Sequence, residues 1–550
     1  MSFGTLVRPP AKPLNGPRVL YIVARFEARK VWRHPALFVA TAITAYELYQ
    51  QVQWTNAPVL NRDSYTSAWP MILFAAGVYL AIGTTVNRRH GGESDETFNA
   101  LPVAPMTRTL GTGLAFVSPL LVAIAMQGAV LVARTLGSSV TAIVWAEVLI
   151  GPVTVALGAA AGMAVGWAFK NAIAVPMAGL GFVGLTLMVW WQDFMFGPYT
   201  PWLAPMPSLD RNQYAFEQGY RPSTIHLVYL VLFTIFFVTV AVLWRRQGRE
   251  RVAAIATSLL ILAGVIWAGS AQLAGLTPAE EVAWEAQYLA KGGDYVCEQR
   301  ANVTYCPYQG YEGWVDEWAG EVESVLALAP AQAAQRPLEI RQQVPYFVDE
   351  EELPPAGDLT TGMWWSRGPY DSYLVAHRLG MALGVAGWAV GLPTHQAPIK
   401  SEVVEGELVV RRFDPNTDDA AEVQLRACSS DGQGRAVVAL WYATQSSPES
   451  REALEFQVSG ERFGGLSPQD NTGIDIGYRQ PSSAVVYFRR EAQVALELSR
   501  LPADEVVVAF EARWDQATDP TTTTEDVAAW FGVDVPGMGD ADDSWTIPCP

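Results

Sequence analysis

Cysteine is nearly absent from this sequence: four occur in 550 residues, none before position 297, and histidine occurs only five times. These scarcities exclude several kinds of chemistry. A zinc peptidase of the H-E-x-x-H type sets two histidines one turn apart beside a glutamate base, and His377, followed by Arg378, has no such mate. No G-x-S-x-G elbow is present to expose a serine nucleophile. Nor does any G-x-x-x-x-G-K-[ST] run occur, so the chain carries no loop of its own to cradle nucleotide phosphates. The first residues, MSFGTLVRPPAKPLNG, lack the apolar core of a cleavable signal peptide.

Lysine is also scarce, and most of the positive charge in both halves is arginine. Residues 1–273 hold 19 basic and 11 acidic side chains, whereas residues 274–550 hold 18 and 44, which together make the net charge of −18. Such an acidic half repels phosphates and excludes nucleic acid as a partner. A basic, apolar half joined to an acidic one predicts a membrane domain followed by a water-soluble domain.

What the first half has in abundance is long apolar runs. A spanning helix needs about 20 mostly apolar residues. Seven runs approach or exceed that length, at 36–55, 67–86, 109–134, 141–169, 171–191, 224–244 and 252–273. Glu47 and the glutamines at 50, 51 and 53 dilute the first. Fifteen basic residues fall before span one or in the even-numbered returns, against four (Arg62, Arg134, Arg211, Arg221) on the other side. Positive charge marks the cytoplasmic side, so the amino terminus is expected inside the cell membrane. Seven crossings then place residues 274–550 outside, with span one as the uncleaved signal.

The cysteines fit that topology, because oxidising compartments permit disulfides. Cys297, Cys306, Cys428 and Cys549 all lie in the acidic half and allow three pairings. The favoured one joins Cys297 to Cys306 across a hairpin and Cys428 to Cys549. In this half, helices are expected at 278–291, 311–328, 372–391 and 489–500. Strands are expected in PLEIRQQVPYF, GELVVRRF, GRAVVALWYA, SSAVVYFRR and EVVVAFEARW, from alternation or β-branched content. Asp316–Glu317 and the DEEEL run at 349–353 read as solvated surface, so no catalytic or metal-binding set is assigned. The predicted fold is a polytopic α-helical membrane bundle, six spans plus a seventh, followed by an α+β extracellular domain. Its parts are a cytoplasmic helix at 1–35, the membrane domain at 36–273 with a cytoplasmic loop at 87–108, and the exported domain at 274–550.

Ionisable groups within spans are costly and mark packing or function. Arg134 ends span three and Glu147 begins span four, equally far from the turn between them, so an ion pair is expected. Glu47 either lines a path through the bundle or meets water near the outer leaflet. Trp190, Trp191, Trp202 and Trp244 are expected as interfacial anchors. Before span one, Arg18, Arg25 and Arg29 fall within about 40° of one another at 100° per residue. With Val19, Val23 and Phe26 on another side, the segment reads as a helix resting on anionic headgroups or as a plain cytoplasmic helix.

Two stretches, in their order against the spans, resemble the type-two ABC exporter permeases over about the first 245 residues. RFEARKVWRHP at 25–35, with Arg25, Glu27 and Arg29, is similar to the amphipathic start of that family. ETFNALPVAPMTR at 96–108 resembles its coupling helix, which ends in a proline turn followed by an arginine. The resemblance implies a separate ABC ATPase subunit that binds ATP and Mg, a homodimer or paired permease in the bilayer, and no cofactor on this chain. It also implies that Glu93, Asp95, Glu96, Phe98, Leu101, Pro102 and Arg108 meet that subunit. The seventh span and large exported region depart from the six-span pattern and resemble permeases of high-GC Gram-positive bacteria. The function implied is export of an amphiphilic cargo (a lipid, peptide or drug-like molecule). The alternative is a membrane-anchored receptor or assembly protein whose exported domain binds a partner.

Overall fold

The computed structural model describes residues 16–53, 59–87, 113–136, 140–169, 173–191, 200–204, 221–243, 248–280, 295–342, 359–361, 372–394, 397–404, 407–412, 423–426, 428–459, 473–474, 485–536 and 548–550, with positions 103, 107, 111 and 171. Each of the seven apolar runs contains a helix. The first half forms α1 (Pro17–Trp32), α2 (Pro35–Gln53), α3 (Leu60–Thr66), α4 (Met71–Asn87), α5 (Val117–Thr135), α6 (Trp145–Ala168), α7 (Ala174–Trp191), α8 (Ser223–Leu243) and α9 (Arg249–Leu273). Five helices are long and apolar enough to cross a membrane: Leu60–Asn87, Gly113–Thr135, Trp145–Ala168, Ser223–Ala241 and Arg249–Leu273. This is a multi-pass helical membrane bundle. α2, the run that Glu47 and its glutamines dilute, and α7 are not among the five.

α4 and α6 form the centre of the bundle because their backbones can nearly touch. Gly158, Gly162 and Gly166 recur every fourth residue on one face of α6. A Cβ on these glycines would stand 2.6 Å from the Ala75 carbonyl oxygen, 2.5 Å from that of Tyr79 and 2.6 Å from that of Gly83, respectively. Small residues at this spacing let two membrane helices approach closely, and dispersion and weak backbone contacts then hold them. Gly162→Val should therefore separate the two helices. Overpacking of this kind costs about 1–3 kcal/mol, and contact with backbone rather than a movable side chain puts this site at the upper end. Thermal unfolding of the purified variant in nanodiscs measures the loss, and Gly181→Val, which meets nothing within 4 Å, is the control.

The bundle has two distinct ends. At one, α1 meets α2: Trp32 Nε1 donates to Ser118 Oγ at 3.0 Å, and His34 Nε2 lies 3.1 Å from Thr84 Oγ1. Asn87 at the end of α4 donates to the Phe169 carbonyl just past α6. At the other end lie the start of α3 and α6, the end of α5, and the segment that leads into α8. There the Thr141 amide donates to the Gly310 carbonyl at 2.7 Å, which joins the bundle to the carboxyl-terminal region.

That region mixes helices and strands. β1 (Glu298–Arg300) and β2 (Val303–Cys306) form an antiparallel hairpin closed by the Cys297–Cys306 disulfide. β3 (Leu338–Gln342) and β4 (Leu359–Thr361) add to it in parallel. β5 (Ala397–Val404) pairs antiparallel with both β6 (Glu407–Arg412) and β7 (Val423–Arg426). β10 (Val485–Phe488) lies between β8 (Cys428–Ser429), parallel to it, and β9 (Gly473–Ile474), antiparallel. The labelled helices are α10 (Val315–Leu326), α11 (Ser372–Ala389), α12 (Gly434–Ser446), α13 (Pro448–Ser459), α14 (Arg489–Leu498), α15 (Ala503–Ala512) and α16 (Thr524–Phe531). They enclose a core that includes Trp314, Trp318, Trp441, Tyr442 and Phe510. Cys428 is bridged to Cys549, as the favoured pairing has it.

Two expected strands are helices instead. GRAVVALWYA lies in α12, where every residue from Gly434 to Thr444 is buried. A helix enclosed on all sides is apolar all round, and its sequence reads like that of a core strand. EVVVAFEA of EVVVAFEARW lies in α15, which buries Val506 and Phe510 one turn apart and leaves Val508 exposed. Pro502 followed by Asp504 and Glu505 in the first turn is a helix-start signal that outweighs the valines. Most of the helix expected at 278–291 lies outside the described residues.

Candidate functional site

The end of the bundle that faces the carboxyl-terminal region is closed by a layer of charged and polar side chains, most of them buried. Glu147 sits in the first turn of α6. Its Oε1 accepts from Arg221 Nε and from Ser223 Oγ, both at 2.6 Å, and its Oε2 accepts from Arg221 Nη2 at 3.3 Å. Arg221 also donates to Asn61 Oδ1, and its guanidinium stands 5.5 Å from the Tyr65 ring centroid. This is a forked pair with added hydrogen bonds, the arrangement that offsets the desolvation of two buried charges. Beside it, Arg134 Nη2 contacts Asp63 Oδ1 at 3.4 Å.

The expected Arg134–Glu147 pair is thus corrected: both residues are ion-paired at this end, but with Asp63 and Arg221. Equal depth along one hairpin is necessary for contact, but direction around the helix decides it, and α3 and the entry to α8 supply nearer partners. Sequence reading missed Asp63 as a partner and treated Arg221 only as loop charge. A search for ionisable residues within a turn of each span end would have gathered all four.

Polar contacts continue inward. Gln127 Nε2 donates to Ser67 Oγ at 3.0 Å between α5 and the α3–α4 junction. His226 Nδ1 lies 3.1 Å from Gln272 Oε1, and Gln272 Nε2 donates to the Trp202 carbonyl at 2.8 Å. Trp202 is fully buried against His226, ring centroids 5.1 Å apart, and so is not an interfacial anchor. A one-turn 3-10 helix at Thr200–Leu203 carries it inward. Glu47 is exposed on α2, outside this layer.

At the opposite end, α1 leaves Arg18, Arg25 and Arg29 exposed and buries Glu27 and Val31 against the bundle. The expected apolar face divides. Val23 turns inward, where a Cβ on Gly111 would meet it at 2.6 Å, while Phe26 stays exposed with Lys30 Nζ 4.3 Å from its ring centroid. The inward side follows i, i+4, i+8 through Val23, Glu27 and Val31, because one side of α1 must cover the bundle. Glu93, Asp95, Glu96, Phe98, Leu101, Pro102 and Arg108 lie outside the described residues.

In the carboxyl-terminal region, Asp316 pairs with Arg300 at 2.7 Å and Glu317 with Arg378 at 2.9 Å. Burial raises the pKa of two other carboxyls, Glu321 and Glu491. Glu491 Oε1 accepts from the Gly432 amide at 3.1 Å and from Thr524 Oγ1 at 3.0 Å, which ties the loop after β8 to α16. Among the described residues no group of three or more His, Cys, Asp or Glu is placed to hold a metal ion. No protein-family model, curated protein or solved structure matches this chain.

Proposed function

We propose that this chain is the membrane-spanning subunit of an ATP-driven exporter, moving an amphiphilic cargo with ATP hydrolysed by a separate ABC subunit. The observation that carries the reading is what gathers at one end of the bundle. The basic helix α1, the end of α4, and Gly111 at the return into α5 lie together there, so the described residues that flank the 88–110 stretch are both at the end where α1 sits. The charged layer and the disulfide-bearing region lie at the other end. An ATPase bound below and cargo released above need that polarity.

A sixth crossing, beyond the five long apolar helices, is supported by the course of α2, and α7 would be the seventh. It runs from His34, beside Thr84, to Gln51, whose side chain donates to the Thr66 carbonyl. Those 17 residues rise about 26 Å at 1.5 Å each, matching the stretch from Thr66 to Thr84 that they run beside. In this reading the amino terminus is cytoplasmic, the carboxyl-terminal region is extracellular, and two such bundles pair in the plasma membrane.

The test replaces Glu96–Pro102 by a Gly/Ser linker. The expected result is loss of co-purification with the ATPase subunit and of its stimulated ATP hydrolysis; if both persist, the assignment fails. A second reading, a membrane-anchored receptor or assembly protein, is favoured by the firm joint between Gly310 and Thr141. It predicts that the linker variant keeps all activity and that the region after residue 295 alone captures a partner.

A further inference from the structure

We infer that the hairpin between α5 and α6 is a handle by which the carboxyl-terminal region controls the ion-pair layer of the bundle. A chain of hydrogen bonds connects them without a gap. The Gly310 carbonyl, in the turn after β2, accepts from the Thr141 amide at 2.7 Å. Thr141 Oγ1 in turn accepts from the Asn61 amide at 3.0 Å. Asn61 Oδ1 accepts from Arg221, and Arg221 holds Glu147.

Parallel links make the handle stiff. The Leu60 amide donates to the Val140 carbonyl at 3.0 Å, and the Val144 amide donates to Ser64 Oγ at 3.1 Å. Val59 and Val140 form a parallel β-bridge and belong to the same apolar core as Val303, Tyr308, Tyr311 and Trp314. Two side chains of the membrane half are thus packed as part of the other half's interior.

Thr141 holds φ at 64°, a left-handed conformation that non-glycine residues adopt only where the surroundings over-determine it. Both its amide and its hydroxyl are committed, one to each side of the joint. Packed interiors transmit displacement because they are not continuously deformable. A shift of the Gly310 turn, by a bound partner or cargo, therefore moves Asn61 and weakens one acceptor of Arg221. The layer and the carboxyl-terminal region form one thermodynamic unit, and coupling of this kind is reciprocal. The inference holds whether or not the chain exports.

The Thr141 amide is its own reporter. Hydrogen exchange is followed by mass spectrometry on the full chain in nanodiscs, comparing wild type with Glu147→Gln. Charge-assisted hydrogen bonds are worth enough that their loss should speed exchange about tenfold, both at Thr141 and in the Tyr308–Tyr311 turn. Asn61→Ala, which perturbs the layer less, should give the same pattern at smaller amplitude if Glu147→Gln fails to fold. Ser258→Ala, at the other end of the bundle, should leave both sites at the wild-type rate. Conversely, Tyr311→Ala should speed exchange at Val144–Val148, the N-cap and first turn of α6. Acceleration confined to α6 and α8 in the layer variants, with the Gly310 turn unchanged, overturns the proposal, and so does an unaltered α6 in Tyr311→Ala.

Discussion

Replacing Glu147 with leucine should destabilise the folded bundle by about 3–5 kcal/mol, because Arg221 is left as a buried charge without its counter-ion. The glutamate side chain is 1% exposed and the arginine 9%, so water does not reach in to take over. Ser223 also loses its nearer acceptor and keeps only the Arg221 carbonyl at 3.4 Å, whereas Asn61 remains an acceptor for Arg221. The reverse variant, Arg221→Leu, should cost a similar amount. The double variant should recover much of the loss, since apolar residues of similar volume often replace a buried pair at little cost. Thermal unfolding of the three variants in nanodiscs supplies the double-mutant cycle. Additive losses in the double variant would mean that the two side chains do not act as a pair. Glu47→Gln, at an exposed site, should stay within about 0.5 kcal/mol of wild type.

The second large effect belongs to the Cys428–Cys549 disulfide. It closes a loop of sequence separation 121, for which chain entropy alone gives about 5 kcal/mol. The Cys297–Cys306 bridge, at separation 9, gives only about 2.5 kcal/mol on the same relation. Cys549→Ser should therefore lower the unfolding midpoint of the carboxyl-terminal region well below that of Cys306→Ser. More than entropy is lost. The Cys549 amide donates to the Ser429 carbonyl at 2.8 Å, and Gln433 Nε2 donates to the Cys549 carbonyl at 3.0 Å. Arg435, buried in α12, donates to the Pro550 carbonyl. Hydrogen exchange at the residue 549 amide should be faster in Cys549→Ser than in the wild type. Equal midpoints for the two serine variants would show that the tail is held without its covalent link.

Elements whose signal is local were legible from residues alone. The apolar runs became helices because a spanning segment satisfies its own backbone and needs only length and composition to be recognised. The β1–β2 hairpin and its disulfide were legible for a similar reason, two cysteines nine positions apart around a short turn. α12 and α15 were not. Both are β-branched-rich runs, and whether such a run lies in a sheet or inside a shell of helices depends on what surrounds it. The Gly158, Gly162 and Gly166 spacing was present in the sequence, but its meaning came from the α4 backbone on the other side.

The charged layer shows the same division. By itself the sequence determined that ionisable side chains occur near the ends of apolar runs, and that each must find a partner or water. It determined the inequality of the halves, the count of apolar runs and the placement of every cysteine. Only the tertiary structure decided that Arg134 turns to Asp63, that Glu147 turns to Arg221, and that Thr141 meets Gly310. Those choices depend on the azimuth of each helix and on contacts between residues 71 to 169 positions apart. Composition determines depth, but direction around an axis is set only when all the helices pack at once.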